Sequence, residues 1–367
     1  MGRFEDFEKI LLYVNAALAY IANFILIYFI LNHSRRQLGT YRYLMLLFGV
    51  FNMVFPSIHI LVMPKFHIYG YAFVKYPSNL LMNTFEPAHW ALVIHGCFFI
   101  ESQTLLAFHF VYRYILICKN HLLFIFNSKK FLPLHLSIWL MMGVIWGTNA
   151  KNLMGYNNEL KSYVGETLAE TYGFNVNKSG FLGLMYRHKA VKGEQTWNWT
   201  ALLAGAICMS QILTTFGIIS FCSYKILTTL KAAAMSEKVR KLQMELFRAL
   251  LVQTLIPVLF EYMPSSIVFL GPLVKLPIGR GCNYMSIGIS FYPFVDPLCI
   301  LYFIRDYRNA ISRMIRKRQI GGYVTETSLT KRPSQDARNV FSINRSNSSK
   351  TRMSSVIDGI DESQLKP

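Results

Sequence analysis

The sequence predicts an all-α membrane protein, a bundle of seven helices that each cross the bilayer. Of its 367 residues, 53% are hydrophobic and only 16% are charged. Lys, Arg, Asp and Glu are concentrated between seven long apolar segments. Each of these segments has the roughly 20 residues that a helix needs to cross a membrane. Composition and segment length together therefore exclude an ordinary water-soluble protein.

The third apolar segment shows the length argument most clearly. At about 1.5 Å per residue, a helix from Ala91 to Arg113 rises roughly 33 Å, close to the thickness of the bilayer's hydrocarbon core. Arg113 should therefore lie at the far membrane interface. By the same criterion we predict spans at residues 10–31, 44–63, 91–118, 132–150, 200–227, 249–270 and 285–304. Apolar residues at helical spacing among charges over 239–250 also predict that span six continues into the cytoplasm.

Residues 1–318 are expected to form one seven-transmembrane domain. Within it, residues 305–318 carry Tyr307, Ile311 and Met314 at helical spacing among basic residues. This pattern predicts a short amphipathic helix on the inner leaflet. Residues 319–367 are rich in Ser, Thr, Asn and Arg with few large apolar residues, so we expect a disordered cytoplasmic tail.

The distribution of basic residues predicts the orientation. The connections at 32–43, 119–131 and 228–248 contain more Lys and Arg than the short connections on the opposite side. Because Lys and Arg in short loops resist translocation, the richer side is cytoplasmic. The amino terminus is therefore expected outside and the carboxyl terminus inside.

The net charge of +19 does not indicate a nucleic-acid-binding protein. The basic residues lie between spans and in the tail rather than along one helical face, so anionic membrane lipid is the expected partner and nucleic acid is not. The six cysteines form no C-x-x-C pair, so neither a metal nor another cofactor is expected.

Two N-glycosylation sequons lie in the long outer connection at 151–199 or at its edge. They begin at Asn177 and Asn198. A sequon on the outer side predicts a glycan, although Asn198 is expected close to the membrane surface.

Three acidic residues lie within predicted spans, where an unpaired charge costs several kcal/mol. Glu101 and Glu261 should both lie roughly 14 to 15 Å below the outer surface. One hypothesis is that they line a ligand pocket together with His59 and Gln103. The alternative is that each is a protonated carboxyl bonded to a neighbouring helix. For Asp296, beside Pro297, we favour a structural and switching role, because proline frees a backbone carbonyl.

Four sequence blocks together resemble a large nematode chemoreceptor family, serpentine receptor class r, or Str. The chain is identified as a member on its seven spans and on these blocks, which occur in order from the first inner connection to the end of span seven. They are Leu38-Gly39-Thr40-Tyr41-Arg42-Tyr43-Leu44-Met45, the run from His109 to Tyr114, Gln253-Thr254-Leu255-Ile256-Pro257, and Tyr292-Pro293-Phe294-Val295-Asp296-Pro297-Leu298 followed by Arg305-Asp306-Tyr307-Arg308.

The resemblance implies a G-protein-coupled receptor for small-molecule odorants in the ciliary membrane of a sensory neuron. Its partners would be the odorant and the α subunit of a heterotrimeric G protein, and homo- or hetero-oligomers are left open. By position, Tyr112, Arg113 and Tyr114 take the place of the acid-arginine-tyrosine triplet of rhodopsin-like receptors. Asp296-Pro297 takes that of their Asn-Pro pair. His109 and Pro257 are added as candidate activation residues, since a kink at Pro257 would let the inner half of span six swing.

Two departures from the rhodopsin-like pattern matter. Tyr112 cannot form an ion pair with Arg113, so we considered Glu245 at the foot of span six as a substitute. The outer connection before span five contains no cysteine, so the usual disulfide to the top of span three cannot form.

Other classes of membrane protein fit less well. A light-driven rhodopsin needs a lysine in span seven, and residues 285–304 contain none. No internal repeat supports a transporter, and no grouping of nucleophile, base and oxyanion donors supports an enzyme. The main alternative is an odorant-gated channel with seven spans, which would place the amino terminus inside.

A glycosylation tag at the amino terminus tests this orientation. We expect the tag to be modified when the full chain is expressed in animal cells, because only outer segments reach the transferase. The measurement is an enzyme-sensitive mass shift on a gel, with a tag at the carboxyl terminus as the control. Modification of the carboxyl-terminal tag alone would favour the channel.

Overall fold

The computed structural model describes residues 2–33, 39–188, 194–232, 236–314 and 316. Within these ranges, seven helical stretches are long and apolar enough to cross a membrane, which confirms the predicted fold class. The helices are α1 (Gly2–His33), α2 (Tyr41–Val62), α3 (Glu86–Cys118), α4 (Phe124–Asn127), α5 (Leu132–Leu153), α6 (Asn158–Tyr172), α7 (Trp199–Ala232), α8 (Glu237–Pro257), α9 (Met263–Leu270) and α10 (Tyr284–Phe303). We call outer the end that carries α6.

Most of these helices extend past the predicted spans. α3 begins at Glu86 rather than at 91, because Pro87 in the first turn and an acidic residue at the amino end both favour a helix start. α7 continues to Ala232, beyond the predicted 227. Hydropathy detects only the part of a helix that lies in lipid, whereas the backbone hydrogen bonds continue into the aqueous layers.

The sixth span combines several helical geometries. α8 begins at Glu237, so the predicted extension below residue 249 is confirmed. At Pro257 the α-helix gives way to a π-helical turn, Val258–Tyr262, before α9 begins. Pro257 has no N–H to donate to the preceding turn, which makes it a natural place for the hydrogen-bond pattern to change.

A three-stranded antiparallel sheet at the outer end was not predicted. β1 (Pro64–Tyr69) and β2 (Ala72–Pro77) form a hairpin between α2 and α3, and β3 (Leu182–Met185) of the long outer connection pairs with β2. The hairpin turns through Gly70, whose φ of 53° suits glycine. The connection between spans two and three is therefore an ordered structure rather than a loop.

The two faces of this sheet contact different parts of the molecule. Phe66, Phe73 and Leu182 point to one face and join the core at the outer end of the bundle. Val74 and Tyr76, which alternate with them, point to the other face and pack against α6. Because side chains alternate along a strand, one short sheet covers the bundle and supports α6.

Hydrogen bonds tie the long outer connection to the beginning of α3. Gly180 donates its N–H to the carbonyl oxygen of Thr84 at 3.0 Å, and a nitrogen of His89 lies 3.3 Å from the carbonyl oxygen of Phe181. All six cysteines are free, as the missing cysteine in this connection led us to expect. One backbone hydrogen bond and one from a side chain thus hold the outer connection where a disulfide was excluded.

A helix follows the seventh span over residues 305–314, as predicted. Tyr307 on this helix is fully buried and its ring lies 6.1 Å from that of Phe29 on α1. Part of its apolar face therefore packs against the bundle rather than against lipid. The remainder of the predicted 305–318 helix and the predicted tail at 319–367 fall outside the described residues, apart from residue 316.

Gly180→Ala should destabilise the outer end. A Cβ at this position would lie 2.1 Å from the carbonyl oxygen of Phe85 and 2.8 Å from the backbone nitrogen of His89, so the connection must move away from α3. We expect a loss of about 1–3 kcal/mol, read as a lower thermal midpoint of the purified receptor. Gly217→Ala is the matched control, because nothing lies within 4 Å of its Cβ position; equal losses in both variants would contradict the prediction.

Candidate functional site

A small cavity lies beneath the outer sheet, between the sheet and the ends of several membrane helices. Its volume is about 50 Å³. Its wall is mainly aromatic and aliphatic, and Lys75, His95 and Ser265 contribute polar atoms. β1, β2 and β3 close it on one side, and α3, α5, α9 and α10 surround the rest. The cavity therefore exists only because the outer connections fold back over the bundle.

A chain of hydrogen bonds runs from this cavity to α10. The Lys75 Nζ lies 3.1 Å from His95 Nδ1, His95 Nε2 lies 3.0 Å from His59 Nδ1, and His59 Nε2 lies 3.1 Å from the backbone carbonyl oxygen of Ser286. A carbonyl can only accept, so His59 must donate to it. With both rings neutral, His95 then donates to His59 and accepts from Lys75. The last acceptor thus sets the direction of every hydrogen bond in the chain.

Lys75 is a polar wall residue that the sequence analysis missed. Lys75 lies in the short outer connection between the second and third spans, and the strand pairing places it opposite Phe66 and Leu182, on the face of the sheet that lines the cavity. Burial lowers the pKa of its amine to about 7. Among the described residues it forms no salt bridge with an acid. Because side chains alternate along a strand, the sequence Phe73-Val74-Lys75-Tyr76 puts Lys75 on the same face as Phe73. This pattern is the signal that could have identified it.

The four predicted ligand residues do not form one group. His59 is connected to the cavity through His95. Glu101 points toward α5, where its carboxyl group would meet a Cβ added to Gly143 at 2.3 Å. Glu261 is fully buried in the π-helical turn, and Gln103 is buried on α3. None of the four lines the described cavity, so a direct contact with ligand stays a prediction for each of them.

Asp296 lies at the centre of the bundle and accepts two hydrogen bonds from side-chain amides. Gln253 on α8 donates to its Oδ1 at 2.8 Å, and Asn52 on α2 donates to its Oδ2 at 3.1 Å. All three residues are buried. Asp296 therefore joins the second, sixth and seventh spans, an arrangement consistent with the structural role that we favoured.

The side-chain amide of Asn23 replaces a hydrogen bond that Pro297 removes from its helix. Proline has no N–H, so the carbonyl of Pro293 one turn earlier loses its helical donor. Asn23 on α1 donates to that carbonyl oxygen at 2.8 Å. The freed carbonyl that the sequence predicted is thus bonded by a neighbouring helix, since a carbonyl left unsatisfied in lipid is costly.

Arg113 is buried at the inner end of α3, only 1% exposed. Its Nη2 donates to the backbone carbonyl oxygen of Gln243 on α8 at 3.4 Å, and its guanidinium carbon lies 5.3 Å from the ring centre of Tyr41. The ion pair with Glu245 that we considered is not present among the described side chains. A carbonyl of α8 takes its place, because α8 places Glu245 beside the helix over 305–314 instead.

Aromatic contacts surround Arg113. Tyr112 stacks on Tyr41 with ring centres 5.2 Å apart, and the Tyr41 hydroxyl lies 3.2 Å from His109 Nδ1. Tyr114 points elsewhere, with its ring edge-on to Phe221 of α7. The structure thus brings His109, Tyr112 and Arg113 together through Tyr41, a residue that the sequence analysis did not select.

A cleft opens at the inner end between α8 and the helix over 305–314. Its volume is about 260 Å³, and its wall combines Lys241 and Glu245 with Arg305 and Asp306. It lies at the end of the bundle that the basic residues predict to be cytoplasmic. The cleft therefore offers a mixed-charge surface at the foot of span six.

The two predicted glycosylation sites differ in exposure. Asn177 is exposed on the outer connection. Asn198 is half-buried, and its Oδ1 accepts from the N–H of Ala201 in the first turn of α7 at 3.1 Å. Asn177 is thus the more accessible acceptor, and glycosylation of either stays a prediction.

Asp296→Leu should destabilise the bundle more than Asp296→Asn. Leucine removes both acceptor oxygens and leaves the amides of Asn52 and Gln253 without a partner, at about 1–3 kcal/mol each. Asparagine keeps one acceptor, and a rotated Asn52 amide can accept from its new N–H₂. Thermal midpoints of the two purified variants measure the difference. Equal losses would show that the hydrogen bonds to Asp296 do not stabilise the bundle.

Comparisons with known proteins place this architecture in a family. The model described as "Serpentine type 7TM GPCR chemoreceptor Str" matches residues 8–312. Serpentine receptor class J-38 of Caenorhabditis elegans is 27% identical over 338 residues, which cover 89% of this chain and 96% of that protein. Serpentine receptor class r-10 of Caenorhabditis briggsae is 28% identical over 305 residues, covering 81% and 87%.

A solved structure has a similar fold. The crystal structure of squid rhodopsin superposes with a TM-score of 0.53 at 14% identity, covering 84% of each chain; at that identity the likeness concerns the fold alone. The family match extends from α1 into the helix over 305–314 and includes all seven spans. The chain therefore belongs to the Str family of serpentine seven-transmembrane chemoreceptors, which are G-protein-coupled receptors.

Proposed function

We propose that this receptor is an olfactory receptor that binds a small-molecule odorant in the outer cavity and activates a heterotrimeric G protein at its inner end. The observation that carries the proposal is the cavity beneath the outer sheet, with its apolar wall and few polar groups. Such a composition is typical of small-molecule sites. Membership of a chemoreceptor family supports the same interpretation.

The outer sheet is the element by which a ligand can influence the helices. The cavity wall includes residues of the sheet and of α3, α9 and α10, so an occupant contacts several elements at once. His95 and His59 then connect the wall to the backbone of α10. A ligand that binds one arrangement of these helices more tightly shifts the receptor toward it.

Arg113 is the residue proposed to respond at the inner end. Its hydrogen bond to Gln243 joins α3 to α8 without a salt bridge, so an outward movement of α8 breaks one bond and uncovers a cation. The proline and π-helical turn at 257–262 provide a weak point in the same span. The α subunit of the G protein would bind there, at the foot of α3 and the cleft beside α8.

The remaining proposals concern where the receptor works. Its seven spans make it a multi-pass membrane protein, and we propose the ciliary plasma membrane of sensory neurons as its site. Anionic lipid of the inner leaflet would contact the basic inner connections. Asn177 is the glycosylation site that its exposure favours, and association with a second receptor stays open.

Arg113→Ala should abolish G-protein signalling while leaving ligand binding within about twofold, because Arg113 is remote from the cavity. The measurement uses cells that express the full chain with a calcium reporter, first screened with chemically diverse small molecules to find an activating ligand. Arg248→Ala is the matched control, since it removes an exposed arginine from α8 and should keep most of the response. Normal signalling by Arg113→Ala at equal surface expression would contradict its proposed role.

A further inference from the structure

We propose that the outer cavity binds a short-chain monocarboxylate, whose carboxylate group pairs with the ammonium group of Lys75. The inference rests on the proposed odorant-binding function and specifies the chemical class of the ligand. It follows from three features of the cavity: a cation without a counter-charge, hydrogen bonds that leave this cation with donors to spare, and a small apolar volume.

The first feature is the charge of the cavity. Among the described side chains that line it, Lys75 is the one with a formal positive charge, and no Asp or Glu lines it. The structure pairs Lys65 of the same hairpin with Glu8 at 3.3 Å, but among the side chains that it describes no acid pairs with Lys75. Buried charges in proteins are usually paired, because an isolated one is costly. An anionic ligand supplies the missing charge, whereas a cationic ligand would be repelled.

The second feature is the direction of the hydrogen-bond chain. With both rings neutral and the Ser286 carbonyl accepting, His59 and His95 each donate toward α10, and His95 Nδ1 accepts from Lys75. One N–H of Lys75 is thereby used. An ammonium group has three, so two can donate to a carboxylate in the cavity. His95 holds the head of Lys75 in place without neutralising it.

The third feature is the size and nature of the space. A volume of about 50 Å³, at roughly 10–15 Å³ for each water-sized group, accommodates on the order of three to five non-hydrogen atoms. Phe66, Phe73, Phe99, Trp146 and Phe269 form much of the wall. This combination fits acetate or propionate, which have four and five non-hydrogen atoms, with the carboxylate toward Lys75 and the alkyl group against the rings. Butyrate, with six, exceeds this space and should give the weakest response of the three.

The test compares carboxylates with neutral amides of the same shape. Cells expressing the full chain with a calcium reporter are exposed to acetate, propionate and butyrate at neutral pH, and to acetamide, propionamide and butyramide. We expect a response to at least one carboxylate and a weaker one to its amide. Lys75→Met, which keeps the length of the side chain but removes its charge, should raise the half-maximal carboxylate concentration at least about tenfold.

Lys178→Met is the matched control, because Lys178 is an exposed lysine of the outer connection and should leave the response unchanged. Surface labelling normalises each variant. If Lys75→Met does not reach the cell surface, the proposal is tested on the purified wild-type receptor, whose thermal midpoint is measured with propionate and with propionamide. Stabilisation by propionate and not by propionamide supports the proposal, and equal shifts or no shift overturn it.

The outcomes separate this inference from the proposed function. A receptor that responds to neutral odorants and not to carboxylates, or a Lys75→Met variant with unchanged sensitivity, overturns the carboxylate site while the odorant-receptor function stands. A receptor that reaches the surface and responds to no compound in a broad panel overturns both.

Discussion

The bundle depends on satisfying backbone polar groups where no water is available. Each proline inside a membrane helix removes one hydrogen-bond donor, and in lipid the orphaned carbonyl needs another partner. α10 contains Pro293 and Pro297, and the carbonyl freed by Pro297 is bonded by Asn23 of α1. Asp296, beside the same proline, accepts hydrogen bonds from the side-chain amides of Asn52 and Gln253. Hydrogen bonds at the proline-containing segment of α10 therefore join this helix to α1, α2 and α8.

The outer end uses a different means of attachment. Rhodopsin-like receptors hold the long outer connection with a disulfide, and here all six cysteines are free. A strand of that connection pairs with the hairpin before α3, and Gly180 packs directly on the first turn of α3. The resulting sheet does more than a single covalent link, because one of its faces forms part of the cavity wall. The same sheet therefore both attaches the outer connection and forms one wall of the outer cavity.

Contacts of α10 extend from the outer cavity toward the inner end of the bundle. At its outer end, Ser286 accepts the hydrogen bond that terminates the chain from Lys75 through two histidines. In its middle, Asp296 is bonded to α2 and α8, and α8 carries the carbonyl that accepts from Arg113. Among the described residues, the contacts named here between the cavity and the inner end are hydrogen bonds and a packed proline turn rather than ion pairs. This arrangement agrees with a receptor whose resting state has no ion pair at Arg113.

Local features of the sequence were enough to predict the seven spans, the extension and interruption of the sixth, the helix after the seventh and the lack of an outer disulfide, because each depends on hydropathy, proline positions or residue counts. It also selected Arg113 and Asp296, since charged residues in lipid are conspicuous. Their partners follow from the packing of the helices: Gln243 rather than Glu245 for Arg113, and Asn52 and Gln253 for Asp296. It likewise directed Glu101 toward α5 and Lys75 into the cavity. Which way a side chain faces is set by helix rotation and strand register, and both depend on contacts between residues that are far apart in the chain.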